Sequence, residues 1–223
     1  MIYHLQNRTI IKIDGADSVK FVNSLCTNNI IKSQSCYNAI LNSQSRFLYD
    51  FFVYKSSQDC IYIDIFCDFV EGFIKTLNKY KLRSKFEIEI ENNLQIAVGI
   101  DSMIDDAKFS FLDTRNINLG TRFCIDKTTQ NNNIEYDDLL VKNCIVAGEW
   151  LEQEKAFILE YNFEEMQAID FDKGCYIGQE LITRTKRTGE IRKYLKTVNS
   201  LTGNAKLIKQ NSDNSLFLVL FRK

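Results

Sequence analysis

Apolar and polar positions change period repeatedly along this chain, and each change marks an element. Residues 8–14 alternate around Ile11 and Ile13, which predicts a strand that Gly15 ends. Val19, Val22, Leu25 and Cys26 then recur at helical spacing, with Asp17-Ser18 as the expected cap and Thr27-Asn28-Asn29 as the close. Residues 38–54 read as two strands joined by a Ser-Gln-Ser turn, and 60–67 as another. The clearest helix runs from Asp68 to Leu82, with Asp68 and Glu71 spaced as a capping box. Phe86, Ile88 and Ile90 alternate with glutamates, predicting a strand with one wet face, and 95–100 predict a buried one. An Asn-rich loop over 126–136 precedes a helix expected from Asp137-Asp138 to Gly148. Residues 149–172 are irregular and acidic. A short helix is expected over 178–187, and strands over 191–199, 205–209 and 215–222. Strands and helices mix without regular βαβ alternation, which favours an α+β fold.

Composition narrows the class. The 223 residues are 45% hydrophobic and 26% charged, as expected of a globular protein with a sizeable core. The net charge of −1 gives the whole molecule no pull toward nucleic acid or acidic membranes, so any such attraction needs a local patch. No apolar run approaches the ~18 residues of a membrane span. The N-terminus has neither a secretory nor an organellar pattern, which makes the cytoplasm the expected compartment. Proline is absent where about eleven would be usual, so turns fall to Gly, Asn, Asp and Ser.

Seven cysteines without a C-x-x-C pair argue against a disulfide framework or a zinc ribbon, and no metal site is expected. Six of them sit among unremarkable neighbours. Cys175 differs: Gly174 and Gly178 flank it, Lys173 is adjacent, and a helix is expected to follow. Glycines allow close approach to the main chain, and unpaired N–H groups at a helix start would favour a thiolate, as would Lys173. On local chemistry alone a buried, inert thiol is the favoured reading, because such thiols are common. Glu180 and Arg184 are spaced to pair along the helix. His4, the single histidine, is expected at the exposed N-terminal surface, which argues against Cys–His catalysis. Arg184, Lys186, Arg187, Arg192, Lys193 and Lys196 form a basic cluster that could face RNA or a polyglutamylated cofactor tail, or could simply be solvated.

The stretch KGCYIGQELITRTKRTGEIRKYL resembles the signature of the YgfZ-type proteins, bacterial and mitochondrial relatives of the glycine-cleavage aminomethyltransferase. The matching positions are Lys173, Gly174, Cys175, Tyr176, Gly178, Gln179, Glu180 and Arg184, then Gly189 and Arg192-Lys193. Residues 5–30, the 38–54 hairpin and Asp113, Arg115, Leu119, Gly120 and Arg122 resemble other family segments. The resemblance implies an aminomethyltransferase-like α+β body over 1–190, in two intimate lobes, and a reduced C-terminal β module over 191–223. It implies a folate-binding accessory role in iron–sulfur cluster assembly or repair, working with assembly proteins or client [4Fe–4S] enzymes. Cys175 is then the functional residue, and Asp50, Arg115 and Arg122 contact a tetrahydrofolate-type ligand. One alternative is an aminomethyltransferase of one-carbon metabolism. Another is an RNA-binding module associated with tRNA modification, making weak tRNA contact through 184–196. The sequence departs from the family pattern at Thr114 and Leu159, which replace usual prolines, and at Ser45, which replaces a glycine. Val146 stands where the aminomethyltransferases carry a pterin-binding acid.

Overall fold

The computed structural model describes residues 1–201 and 205–223. Within these, twelve strands form three antiparallel sheets, and four α-helices pack around them. The first sheet contains β2 (Arg8–Asp14), β3 (Ser35–Leu41), β4 (Phe47–Lys55), β5 (Cys60–Phe66) and β6 (Glu87–Ile90), in the order β3-β4-β5-β2-β6. The second has the order β1-β7-β9-β8, from β1 (Ile2–Leu5), β7 (Leu94–Gly99), β8 (Phe109–Leu112) and β9 (Thr121–Asp126). The last three strands, β10 (Lys193–Val198), β11 (Lys206–Gln210) and β12 (Phe217–Arg222), make a separate sheet.

Strand β4 explains the nearly continuous apolar run FLYDFFVY, because both its faces are covered. On one face Phe51 meets Phe73 of helix α2 (Val70–Lys81) at 5.0 Å between ring centroids. On the other, Tyr54 stacks on Phe109 of β8 at 4.3 Å, and Phe52 meets Phe111 at 5.8 Å. The two large sheets therefore share an aromatic core.

Several boundaries differ from expectation. Helix α1 (Ser18–Leu25) begins as anticipated, but Asp17 does not cap it; its carboxylate accepts from the Lys85 N–H at 2.8 Å. Asp68 makes no capping bond either, since a 3₁₀ turn over Cys67–Phe69 leads into α2. The helix expected from Asp137 is α3 (Asn133–Lys142), so both aspartates lie inside it. They serve the C-terminal sheet instead: Asp137 pairs with Lys209 at 2.8 Å, and Asp138 accepts from the Ser212 N–H at 2.8 Å. His4 is half-buried in β1, not an exposed terminal residue; its ring Nδ1 is 3.4 Å from the Thr128 hydroxyl. The acidic stretch 149–172 is irregular, as anticipated, but it is a strap across the core that buries Leu151, Phe157, Ile158, Phe163 and Met166.

Candidate functional site

Helix α1 ends with carbonyl groups that no later turn can bind. Lys173 supplies the missing donor. Its ammonium group is buried and reaches the carbonyls of Asn23 at 2.6 Å, Cys26 at 2.6 Å and Asn28 at 2.8 Å. Burial lowers its pKa, and a cation at a helix C-terminus is the favourable sign for the helix dipole. Lys173 therefore points into the body and is spent on α1, contrary to the expectation that it polarises the neighbouring thiol.

The Thr27-Asn28 turn fixes the chain just before the signature. The Thr27 hydroxyl donates to the Ala168 carbonyl at 2.6 Å, and the Asn28 amide donates to the Gln167 carbonyl at 2.6 Å. Tyr176 is buried, with the Lys173 ammonium 5.3 Å from its ring centroid. Gly178 adopts φ +83°, and a Cβ there would lie 2.7 Å from the Asn42 carbonyl oxygen, so only glycine fits. Ser45, in the hairpin turn with φ +62°, donates its hydroxyl to the Gly178 carbonyl at 2.5 Å. Residues 173, 176 and 178 are thus pinned from three directions.

Between these anchors Gly174 and Cys175 are exposed. A Cβ on Gly174 would meet nothing within 4 Å, so that glycine leaves the approach open and is not required by backbone strain. Cys175 is the one exposed cysteine of the seven. Burial pushes Cys26 up to about 11 and Cys36 and Cys124 up to about 12, which keeps those thiols protonated. Cys175 opens onto a groove of about 750 Å³ floored by Phe171 and Tyr176 and walled by Gln179, Thr183, Arg184 and Arg187. Helix α4 (Gln179–Thr188) forms that wall, ending at Gly189 with φ +69°. Glu180 and Arg184 are both exposed and make no ion pair with each other, so the expected i, i+4 bridge is not formed. Among the described residues no group of three or more His, Cys, Asp or Glu side chains is arranged to hold a metal ion.

The remaining site residues lie in a second, buried region between the large sheets. Arg122 donates to Asp64 at 2.6 Å and to Asp113 at 3.3 Å, while Arg115 pairs with Asp113 at 2.7 Å and Arg8 with Asp64 at 2.6 Å. Both Arg115 and Arg122 also donate to the Tyr136 hydroxyl, and both lie over the Phe52 ring. Their guanidinium groups face the protein's own carboxylates, not a ligand as the sequence suggested. Burial alone would raise Asp64 and Asp113, but the arginines outweigh it and hold both below the usual carboxylate range.

Asp50 is buried beside this network. Its Oδ2 accepts from the Tyr37 hydroxyl at 2.6 Å and from the Gly148 N–H at 3.2 Å, whereas its Oδ1 has no partner. A Cβ on Gly148 would lie 1.7 Å from that Oδ1, which explains a glycine here. Next along the chain is Glu149, which the sequence reading missed. Its Oε2 is also buried without a partner, and its Oε1 accepts from the Asn7 amide at 3.4 Å. Burial, reinforced by Asp50, pushes Glu149 up to about 7 despite the attraction of Arg8. Val146 is fully buried in the apolar core, so Glu149 is the nearby carboxyl on that segment.

No family model matches the chain. An iron–sulfur cluster assembly factor IBA57 homolog, mitochondrial, of Dictyostelium discoideum is 27% identical over 85% of this chain and 60% of its own length. Its namesake in Aspergillus oryzae is 29% identical over 90% of this chain and 57% of its own length. The chain is thus similar to iron–sulfur cluster assembly factors of the IBA57 type. It spans about half the length of the curated relatives it matches. Among solved structures, the glycine cleavage system aminomethyltransferase T of Bartonella henselae superposes with a TM-score of 0.70 at 9% identity, covering 99% of this chain and 77% of that one. The expected α+β aminomethyltransferase-like fold is therefore borne out. The cytoplasmic expectation is corrected by the IBA57-type relatives, which are named as mitochondrial.

Proposed function

We propose that this protein is an accessory factor in iron–sulfur cluster assembly that presents Cys175 as a ligand to a cluster passing between proteins. The exposure of Cys175 on a pinned loop, with an open groove in front of it, carries the reading. A cluster takes about four protein ligands, and Cys175 supplies one. The partner supplies the others, and the cluster is cargo. The rigid anchors at Lys173, Tyr176 and Gly178 hold the thiol in place before the partner arrives, which lowers the ordering cost of docking. The relatives' names support the process, and client enzymes of the [4Fe–4S] type are its expected beneficiaries.

A reduced-folate ligand belongs to the same proposal. The residues present suit its pterin end: the unpartnered Oδ1 of Asp50 and Oε2 of Glu149 are acceptors for an N–H-rich ring edge. Asp50 and Glu149 would hold that edge, and Arg115 and Arg122 would support the wall behind them. Such a ligand would serve as a one-carbon carrier when bound, and Asp50 and Glu149 would orient its ring.

The test is complementation of a strain lacking its own copy, read by the activity of a [4Fe–4S] enzyme. Cys175→Ser is expected to abolish rescue while Cys60→Ser retains it. Full rescue by Cys175→Ser would sink the role of the thiol. For the ligand, tetrahydrofolate should change Trp150 fluorescence saturably, and Asp50→Asn should weaken the response. An unsaturable signal removes folate from the reading.

A further inference from the structure

A second groove, of about 590 Å³, lies on the far side of α4 from Cys175. Arg46, Lys155, Arg184, Arg192, Lys193 and Arg222 line it, against Glu160 and Glu190. On a chain of net charge −1 this is a local concentration that overall composition does not explain. Four distant segments build it: the β3–β4 turn, the irregular strap, α4, and the paired ends of β10 and β12. Antiparallel register sets Lys193 opposite Arg222, and the Lys223 N–H donates to the Arg192 carbonyl at 2.9 Å, so Arg192 and Arg222 lie together at one end of the sheet.

The charges are only partly used. Lys193 pairs with Glu160 at 3.0 Å and Lys155 with Glu152 at 3.1 Å. Among the described residues Arg184, Arg192 and Arg222 make no ion pair, and all three are exposed. Arg46 rests 5.6 Å from the centroid of the Phe157 ring. Guanidinium forks suit carboxylates that arrive in pairs or rows. The aromatic ring in this groove, Phe157, is buried beneath Arg46 and offers no face for a nucleobase, which favours a carboxylate chain over RNA. Arg184 and Thr188 line both this groove and that of Cys175, so α4 is the ridge between them. Ten helical residues span roughly 15 Å, the reach of four or five residues of extended peptide.

We propose that this groove docks an acidic peptide segment of the partner protein, and so sets that partner against Cys175. The partner's identity rests on the functional reading above; the groove's preference for carboxylates does not. The probe is a fluorescein-labelled octapeptide of alternating Glu and Ser, titrated by anisotropy with the full chain at low salt. Saturable one-to-one binding is expected. Arg184→Gln with Arg192→Gln should weaken it at least tenfold, and so should Arg222→Gln with Arg192→Gln. The control Lys20→Gln with Lys75→Gln, on exposed helix faces elsewhere, should bind as the parent does. Cys175→Ser should also bind normally, and rescue by the Arg184→Gln, Arg192→Gln variant should fall. Absence of saturable binding, or equal weakening in the control, overturns the proposal. So does displacement of the peptide by substoichiometric tRNA through the same arginines. If the peptide fails to bind while Cys175→Ser still abolishes rescue, the docking site falls and the role of Cys175 stands. The reverse pattern separates them the other way.

Discussion

At the scale of single residues, the signature divides into anchors and a presented thiol. Lys173 satisfies three carbonyls at the end of α1. Lys173→Met keeps the length and loses the donor. Leaving buried acceptors bare costs about 1–3 kcal/mol each, partly relieved by water. We expect a loss of about 3 kcal/mol in urea unfolding, with Cys175 labelled faster by a thiol reagent because its loop is no longer pinned. Unchanged stability would show that α1 does not need the lysine. Glu149 makes a second prediction. Unfolded, it titrates near 4.5; folded, near 7. Between those values the folded chain holds the extra proton, so the contribution of this group to stability is fully present below about pH 4.5 and is lost as pH rises toward 7. Glu149→Gln should remove that slope, which is of order 2–3 kcal/mol across the window. The comparison is parent against variant, because Asp64 and Asp113, held low by arginines, act in the opposite direction at more acidic pH. Parallel pH profiles for parent and variant would count against a raised Glu149.

At the scale of elements, the turn between β3 and β4 holds Gly178, and the 3₁₀ turn over Gly148–Trp150 holds Asp50. Gly148→Ala would place a methyl 1.7 Å from the Asp50 Oδ1, so the carboxylate must move and its bond from Tyr37 must break. We expect a destabilisation of about 2–4 kcal/mol, with tetrahydrofolate binding weakened in proportion to the displaced acid. Folding and ligand response both at the parent level would show that Asp50 is free to relax. These contacts also show what the sequence could disclose. The hairpin, α2 and the terminal strands were legible, because their apolar periods survive in an alternating or helical form. Strand β9 was not, since Arg122 occupies a buried position where a strand pattern calls for an apolar residue, and neither was β8, which is only four residues long. Asp137 and Asp138 looked like caps because acidic pairs favour helix starts. Only the distant Lys209 and Ser212 give them another use. The signature disclosed Cys175 by its resemblance. It could not disclose where Lys173 points, because its acceptors lie about 150 residues earlier in the chain. Glu149 was hidden for the same reason: its neighbours Asn7 and Asp50 come from other elements.

At the scale of the whole molecule, the two large sheets are joined by aromatic packing and by a buried ionic network that crosses between them. Asp64 lies on β5 of one sheet, Arg122 on β9 of the other, and Tyr136 on α3 closes the set. Desolvation makes such a network expensive to assemble, so its value for stability does not follow from its number of contacts. What does follow is an asymmetry. Removing one partner strands the others in a medium that cannot solvate them, whereas replacing the set together does not. Asp64→Asn leaves Arg8 and Arg122 facing a neutral amide and should cost about 3–5 kcal/mol. The joint change Arg8→Met, Asp64→Leu, Arg122→Met should recover much of that loss, measured by denaturant unfolding. Additive losses in the triple variant would mean that the network is a net stabiliser. The functional consequence separates the two regions. Cys175 is held by α1, the hairpin turn and Tyr176, none of which belongs to the ionic set. A chain with the apolar replacement should therefore keep its thiol reactivity and its affinity for the acidic octapeptide. Tetrahydrofolate should bind it less well, because Asp50 and Glu149 would lose the nearby positive charge of Arg8. Loss of all three properties together would instead make the sheet junction a single cooperative unit with the Cys175 loop.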